Sequence, residues 1–360
     1  MRMTIKGVRV IGQTVFVGLA LAQAGCSSST NDATNDAPVC TSLPPLAKKA
    51  SYKVGFAQLY EENGPWRNAN TASIQSEAAK RGHELVYDPG MNVDASLRAQ
   101  EQVKRMEALI AAKVDVIILA PHDETVLAPV VVKARKACIP VFIEDRGVDK
   151  TIAIPGVDYV SNLGSDFRQE GVMTAQWLQA KTGGQAKIIE FEGTVGSSPG
   201  NLRKEGFDTT IDLVPNKAMT ILESESADFD QQKAHDAALR LIPKNPSATV
   251  IYSHNDGMTF GILEAMAELN KVPGKDLLVV SIDGTKKATQ DIIDGTVAAV
   301  TECNPKFGPL VFDAIEKYAN GETLPLEIKN VDRVFDPAGD TPVNATTMST
   351  SAAAYLPEAY

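Results

Sequence analysis

Short, unbroken apolar runs alternate along this chain with segments whose apolar residues recur every three to four positions. Ile139-Pro140-Val141-Phe142-Ile143, Thr249-Val250-Ile251-Tyr252, Leu277-Leu278-Val279-Val280-Ser281-Ile282 and Val297-Ala298-Ala299-Val300 are runs of the first kind. A strand that is apolar without alternation is covered on both faces, as in a parallel sheet flanked by helices. Residues 96–110 are of the second kind, with Ala99, Val103, Met106, Leu109 and Ile110 at helical spacing. Strands are expected at 52–58, 84–87, 115–120 and 140–144, and again at 187–192, 218–223, 249–253, 277–282 and 297–301, with helices between them. Strands alternating with helices imply right-handed crossovers and doubly wound sheets. Two similar series in 360 residues predict an α/β chain of two doubly wound lobes.

Each of the four runs ends in polar residues: Glu144-Asp145-Arg146, Ser253-His254-Asn255-Asp256, Asp283-Gly284 and Thr301-Glu302. Ligands bind at the carboxyl ends of strands in such sheets, so these clusters predict one polar cleft. Asp145-Arg146 sets an acceptor beside a five-donor fork, which suits vicinal hydroxyls that both give and take hydrogen bonds. A local turn salt bridge would use the same pair. Asn255, Asp256 and Asp283 also serve as turn or helix N-cap residues, the commoner role for any one of them alone; Asp123 can reach the rim of the cleft but is expected to cap a helix. Trp66-Arg67 follows the first strand and offers a stacking face with a planar donor, or a core Trp beside a surface Arg. Arg203 opens a helix from which it can point into the cleft, and Phe229 is either a second stacking face or a hydrophobic staple.

Several chemistries find no support. Gly193-Thr194-Val195-Gly196-Ser197-Ser198-Pro199-Gly200 lacks both the G-K-[ST] ending and the G-x-G-x-x-G spacing of nucleotide loops. No G-x-S-x-G elbow occurs, and no catalytic residue or cofactor is expected. His83, His122, His235 and His254 are scattered, so no metal site is expected. A net charge of −10 argues against nucleic acid.

The N-terminus reads as an export signal. Arg2, Lys6 and Arg9 precede an apolar stretch at 10–22 broken only by Gln13 and Thr14. Leu21-Ala22-Gln23-Ala24-Gly25-Cys26 resembles a lipoprotein box that would place a lipid on Cys26, although Gln23 departs from the usual aliphatic residue. Ordinary cleavage after Ala24 is the alternative. The expected layout is a signal at 1–25, a flexible tether at 26–50, lobe 1 at 52–164 plus 303–331, lobe 2 at 165–302 plus 332–350, and a tail at 351–360. From Phe335 the Pro, Gly, Thr and Ser content predicts loose packing over the surface. Cys40, Cys138 and Cys303 are not paired by their spacing, and free or buried thiols are expected.

Val54-Gly55-Phe56-Ala57-Gln58, Trp66-Arg67, residues 76–82, Ile139-Pro140-Val141-Phe142 with Asp145-Arg146, residues 192–196, residues 203–207, His254-Asn255-Asp256, Ser281-Ile282-Asp283-Gly284 and Glu302 together form an ordered set. In them the chain, from Tyr52 to about Val331, resembles the sugar-binding proteins of bacterial ABC importers with the ribose-type periplasmic fold, above all the galactofuranose-binding branch. The resemblance implies a type I periplasmic binding protein: two Rossmann-like lobes joined by a three-strand hinge, crossing near 164–166, 302–304 and 331–334. It implies that Asp145, Arg146, Arg203, Asn255, Asp283 and Glu302 hold sugar hydroxyls, that Trp66 and Phe229 stack on the ring, and that Arg67 adds a donor. The implied role is a non-catalytic receptor in the periplasm or cell envelope. It would close on a monosaccharide such as galactofuranose or ribose and dock, as a monomer, on an ABC permease in the cytoplasmic membrane. A sensor feeding a chemoreceptor or histidine kinase is the alternative, and an exported carbohydrate-active enzyme a more distant one. A cytoplasmic repressor would carry a DNA-binding helix pair where this chain has its signal. Residues 60–65 differ from the galactofuranose branch and are expected to decide which sugar enters.

Overall fold

The computed structural model describes residues 39–59, 64–90, 93–215 and 218–360. Cys26, the signal segment and residues 60–63 of the divergent loop lie outside the described residues. The first series comprises β1 (Lys53–Ala57), α1 (Pro65–Lys80), β2 (Glu84–Tyr87), α2 (Arg98–Ala111), β3 (Val116–Leu119), α3 (Glu124–Lys136), β4 (Val141–Glu144) and β5 (Ser161–Gly164). The second comprises α4 (Phe167–Thr182), β6 (Ala186–Glu192), α5 (Ser198–Asp212), β7 (Met219–Ser226), α6 (Gln231–Lys244), β8 (Val250–Ser253), α7 (Asp256–Glu268), β9 (Leu278–Asp283), α8 (Lys286–Ile293) and β10 (Ala299–Glu302). The chain then adds α9 (Gly308–Ala319) and β11 (Glu327–Lys329), followed by β12 (Val334–Asp336), β13 (Thr350–Ser351) and α10 (Ala352–Tyr355).

Two sheets result, ordered β11-β5-β4-β3-β1-β2 and β13-β12-β10-β9-β8-β6-β7. Every strand pair is parallel except β10 with β12. The backbone passes between the sheets three times: after β5, between β10 and β11, and between β11 and β12.

Strand period explains the layering. In the first lobe Val116, Ile118 and Phe142 pack with Ile74 of α1 and Phe312 of α9, while Ile117, Val141 and Ile143 pack with Met106 of α2 and Leu127 of α3. Successive side chains leave opposite faces of a strand, so an unbroken apolar run fills both cores. The second lobe repeats this, with Ile188, Tyr252 and Val280 against Trp177 and Phe207 on one face. Ile189, Ile251 and Val279 meet Ile262 and Ile292 on the other. Helices begin where the sequence offers caps: the Asp123 carboxylate accepts from the amides of Thr125 at 3.0 Å and Val126 at 2.8 Å.

One close approach positions the site. A Cβ on Gly171 would lie 2.1 Å from the Arg203 carbonyl oxygen, and one on Gly206 would lie 2.1 Å from that of Arg168. These glycines let α4 and α5 pack backbone to backbone, which brings Glu170 against Arg203.

Three sequence expectations are corrected. Cys40 and Cys138, 98 residues apart, form a disulfide and are not free thiols. The segment from Val39 lies back on the first lobe: Arg135 Nη1 donates to the Cys40 carbonyl at 2.6 Å, and the Tyr318 hydroxyl donates to that of Pro44 at 2.8 Å. Leu46 is buried there, so the expected tether does not extend to residue 50. Residue spacing carries no information about such a return. The chain beyond Phe335 is likewise not loosely packed. β12 pairs with β10, Phe335 stacks on Tyr355 with centroids 3.8 Å apart, and the Trp177 indole donates to Asp336 at 2.9 Å. Turn-forming composition marks bends but says nothing of the few aromatic and strand residues that anchor them.

Candidate functional site

The carboxyl ends of the strands face one another across the crossings. In the first lobe, Asp145 follows β4 with φ +60°, and its amide donates to the Leu163 carbonyl at 2.9 Å. Its carboxylate accepts from Arg67 Nη2 at 2.7 Å and lies 3.9 Å from Arg146 Nε. Arg67 stands in the first turn of α1, where Gln58 at the end of β1 accepts from its Nη1 at 3.2 Å. Arg146 Nη1 donates to the His122 carbonyl at 3.4 Å. One acidic group thus lies between two guanidinium groups.

In the second lobe, Arg203 is the central donor and is 3% exposed. Its Nε donates to Glu170 at 2.6 Å, its Nη1 to the His254 carbonyl at 2.7 Å, and its Nη2 lies 3.9 Å from Asp283. The guanidinium sits between the rings of Phe167 and Phe229, at 5.4 and 5.7 Å from their centroids. Phe229 has φ +58° and lies so close to Gly193 that a Cβ there would meet its ring at 2.0 Å. Asn255 caps α7, its Oδ1 accepting from the Met258 amide at 2.9 Å, so the cap reading holds for that oxygen. Asp256 is turned inward and accepts from Ser281, from the amides of Gly284 and Thr285, and from the Thr285 hydroxyl. Burial pushes its carboxyl up to about 6. Burial also raises the Asp283 carboxyl well above the usual range and raises that of Glu170 against the pull of Arg203.

Two expected site residues lie at the crossings. Glu302 is buried and holds Arg333 in a bidentate pair, with Nε at 2.8 Å and Nη2 at 3.1 Å. The Trp66 indole N–H donates to the Cys303 carbonyl at 2.7 Å, one face of its ring lies under Arg67, and it meets Phe307 in a T-shaped contact. A bond from the Gly147 amide to the Ser198 hydroxyl at 3.0 Å runs directly from one lobe to the other.

Asp145, Phe229 and Asp283, at φ +60°, +58° and +139°, are three of the seven described non-glycine residues with positive φ. Such backbone is costly and concentrates where side-chain placement matters. Gln58, Glu170 and Ser198 complete the arrangement and are not among the site residues expected from the sequence. Gln58 obeys the strand-end rule, whereas Glu170 lies inside a helix and nothing local marks it. The assembly presents planar donors and carboxylate acceptors from both lobes. Among the described residues, no group of three or more His, Cys, Asp or Glu is placed to hold a metal.

Residues 54–323 match the periplasmic binding protein domain family. The galactofuranose-binding protein of Escherichia coli strain K12 is 34% identical over 292 residues, 80% of this chain and 88% of that protein. A Mycobacterium smegmatis protein crystallised with β-D-fucofuranose is similar at TM-score 0.74 and 31% identity, covering 85% of this chain and 94% of that one. The binding protein of an arabinose ABC transporter from Shewanella sp. ANA-3, bound to α- and β-L-arabinofuranose, gives TM-score 0.73 and 31% identity over 85% and 95%. With the two parallel sheets, the three crossings and the facing strand ends, these matches establish that the chain belongs to the periplasmic binding protein family.

Proposed function

We propose that this chain is the substrate-binding component of an ABC-type sugar importer and closes its lobes on one monosaccharide, with five-membered-ring sugars the first candidates. The observation that carries this reading is the pairing of guanidinium and carboxylate at strand ends of both lobes: Arg67, Arg146 and Asp145 on one side, Arg203 and Asp283 on the other. A sugar hydroxyl gives and takes hydrogen bonds at once, and such pairs meet both needs. Asn255 adds an amide nitrogen, and Phe229 and Trp66 border the site as ring surfaces. Glu302 acts through Arg333, to which it is bound. Hydrogen bonds to charged groups are worth about 1.5–3 kcal/mol each. Several of them, less the cost of closing, support affinity near micromolar, about −8 kcal/mol.

The Escherichia coli and Shewanella relatives are binding proteins by name, and the role proposed here is likewise non-catalytic: capture, hinge closure and presentation of the closed form to a permease. The Cys40–Cys138 bond supports residence in an oxidising compartment. A lipid on Cys26 would hold the protein at the membrane, and the working form is a monomer. A thermal-shift screen of pentoses, hexoses, furanose-rich sugars and inositols tests the reading, because a ligand of the native state alone raises the melting temperature. A shift with a furanose supports it, and the absence of any shift across the panel contradicts it. Loss of uptake of that sugar on deletion supports import, whereas intact uptake with lost signalling assigns the protein to sensing.

A further inference from the structure

Asn70 and Glu144 meet beside the Arg67–Asp145 pair. Both are fully buried; Asn70 lies one turn beyond Arg67 on α1, and Glu144 immediately precedes Asp145 at the end of β4. The Asn70 amide nitrogen donates to Glu144 Oε2 at 3.1 Å and to the Pro305 carbonyl at 3.2 Å. A carbonyl only accepts, so Pro305 settles which end of the amide is nitrogen. Two buried oxygens are then left without a hydrogen-bond partner, Asn70 Oδ1 and Glu144 Oε1. Orphaned buried acceptors are costly, and a charged one more so. Here they belong to two groups that already share a bond, and a single proton satisfies both, because a carboxylic acid carries a donor.

We propose that Glu144 is a neutral acid in the folded protein and donates its Oε1–H to Asn70 Oδ1, closing an amide–acid pair that positions Arg67 and Asp145 for the ligand. The proton assignment rests on the buried pair alone, and what is being positioned rests on the binding-site reading above. Burial, reinforced by the Asp145 charge, pushes the Glu144 carboxyl up to about 8, against the pull of Arg67 and of the Asn70 amide. Those are the groups that face it, with the Pro305 carbonyl from the crossing after β10. β5, whose Leu163 pairs with Glu144, carries no titratable side chain. The pair therefore ties α1, the end of β4 and the crossing to one another. Ionised, Glu144 would set a second carboxylate beside Asp145 and compete for Arg67. Ligand affinity is then expected to fall as pH rises through about 8.

Two measurements test this on the intact chain. In the ligand-free protein, the infrared difference between wild type and Glu144→Gln shows the carbonyl stretch of a protonated carboxyl at pH 7, and that signal disappears well above pH 8. Calorimetry with the sugar found by the thermal-shift screen gives wild-type affinity falling by up to about tenfold per pH unit above about 8. Glu144→Ala weakens binding at pH 7, and Glu144→Gln, which mimics the neutral acid, restores it and removes the pH dependence. An ionised carboxyl at pH 7 overturns the proposal, as does a Glu144→Gln profile that tracks wild type. Failure of Glu144→Gln to fold overturns it too, since the neutral isostere should fit where a neutral acid sits. A protonated Glu144 in a protein that binds no sugar leaves the acid in place and refutes the binding reading instead.

Discussion

The two lobes hold the arginines of the proposed site in different ways. In the first lobe Arg67 and Arg146 share Asp145 on a loop after β4, and each guanidinium also has a partner outside that pair. In the second lobe Arg203 leaves the side of α5 and is held by a fully buried Glu170, a backbone carbonyl and two aromatic rings. A buried ion pair is costly to break, because removing one partner leaves an unpaired charge away from water. Both arrangements are buried, but Asp145 lies near two guanidinium groups, so the members of the first can change partner when a ligand arrives, whereas the second is a fixed post built into the lobe. Covalent support is distributed the opposite way: the Cys40–Cys138 bond braces only the first lobe.

Arg203→Met separates the two lobes by the largest effect. It strands Glu170 in the α4–α5 interface and should cost about 3–5 kcal/mol of stability as well as binding. Urea denaturation reads the first and calorimetry the second; a variant as stable as wild type would show that Arg203 serves the ligand alone. Arg67→Met is the counterpart, and it should lose affinity while keeping nearly all of its stability, because Asp145 retains Arg146 nearby. Next in size is the disulfide. Cys138→Ser should cost about 2–4 kcal/mol, since a cross-link over 98 residues constrains the unfolded chain. Sugar affinity should be preserved, and a large loss of affinity would mean that the brace reaches the site. Gly193→Ala should cost the fold less than loss of the disulfide, about 1–3 kcal/mol from overpacking against the Phe229 ring. It should also weaken binding by displacing Phe229 from Arg203, and unchanged affinity would remove that ring from the site.

What could be read from residues alone follows a physical boundary. Continuous apolar runs fix doubly covered strands, and the polar residues at their ends are visible because the apolar run stops there, although most of those residues themselves stay buried. Asp145, Arg146, Asp283 and Asn255 were accessible on those grounds. Their alternative readings were legible too, and for Asn255 the cap holds on the oxygen. Positive φ at Asp145 and Asp283 was not legible, since an Asp after a strand reads equally well as an ordinary turn. Glu170 and Asn70 lie inside helices, where one polar residue on a buried face cannot be told from a tolerated one. The return of residues 39–46 over the first lobe and the anchoring of Phe335 and Tyr355 are tertiary facts with no local signature.

The central claim is that one monosaccharide is held by both lobes at once. Isothermal titration calorimetry of the wild type, Arg146→Ala in the first lobe and Asn255→Ala in the second tests it most directly. One site is expected in the wild type, with affinity lowered roughly tenfold or more in each variant through lost hydrogen bonds, and sugar recovered unchanged. A variant of either lobe that binds as tightly as the wild type, or sugar recovered as a different compound, would contradict it.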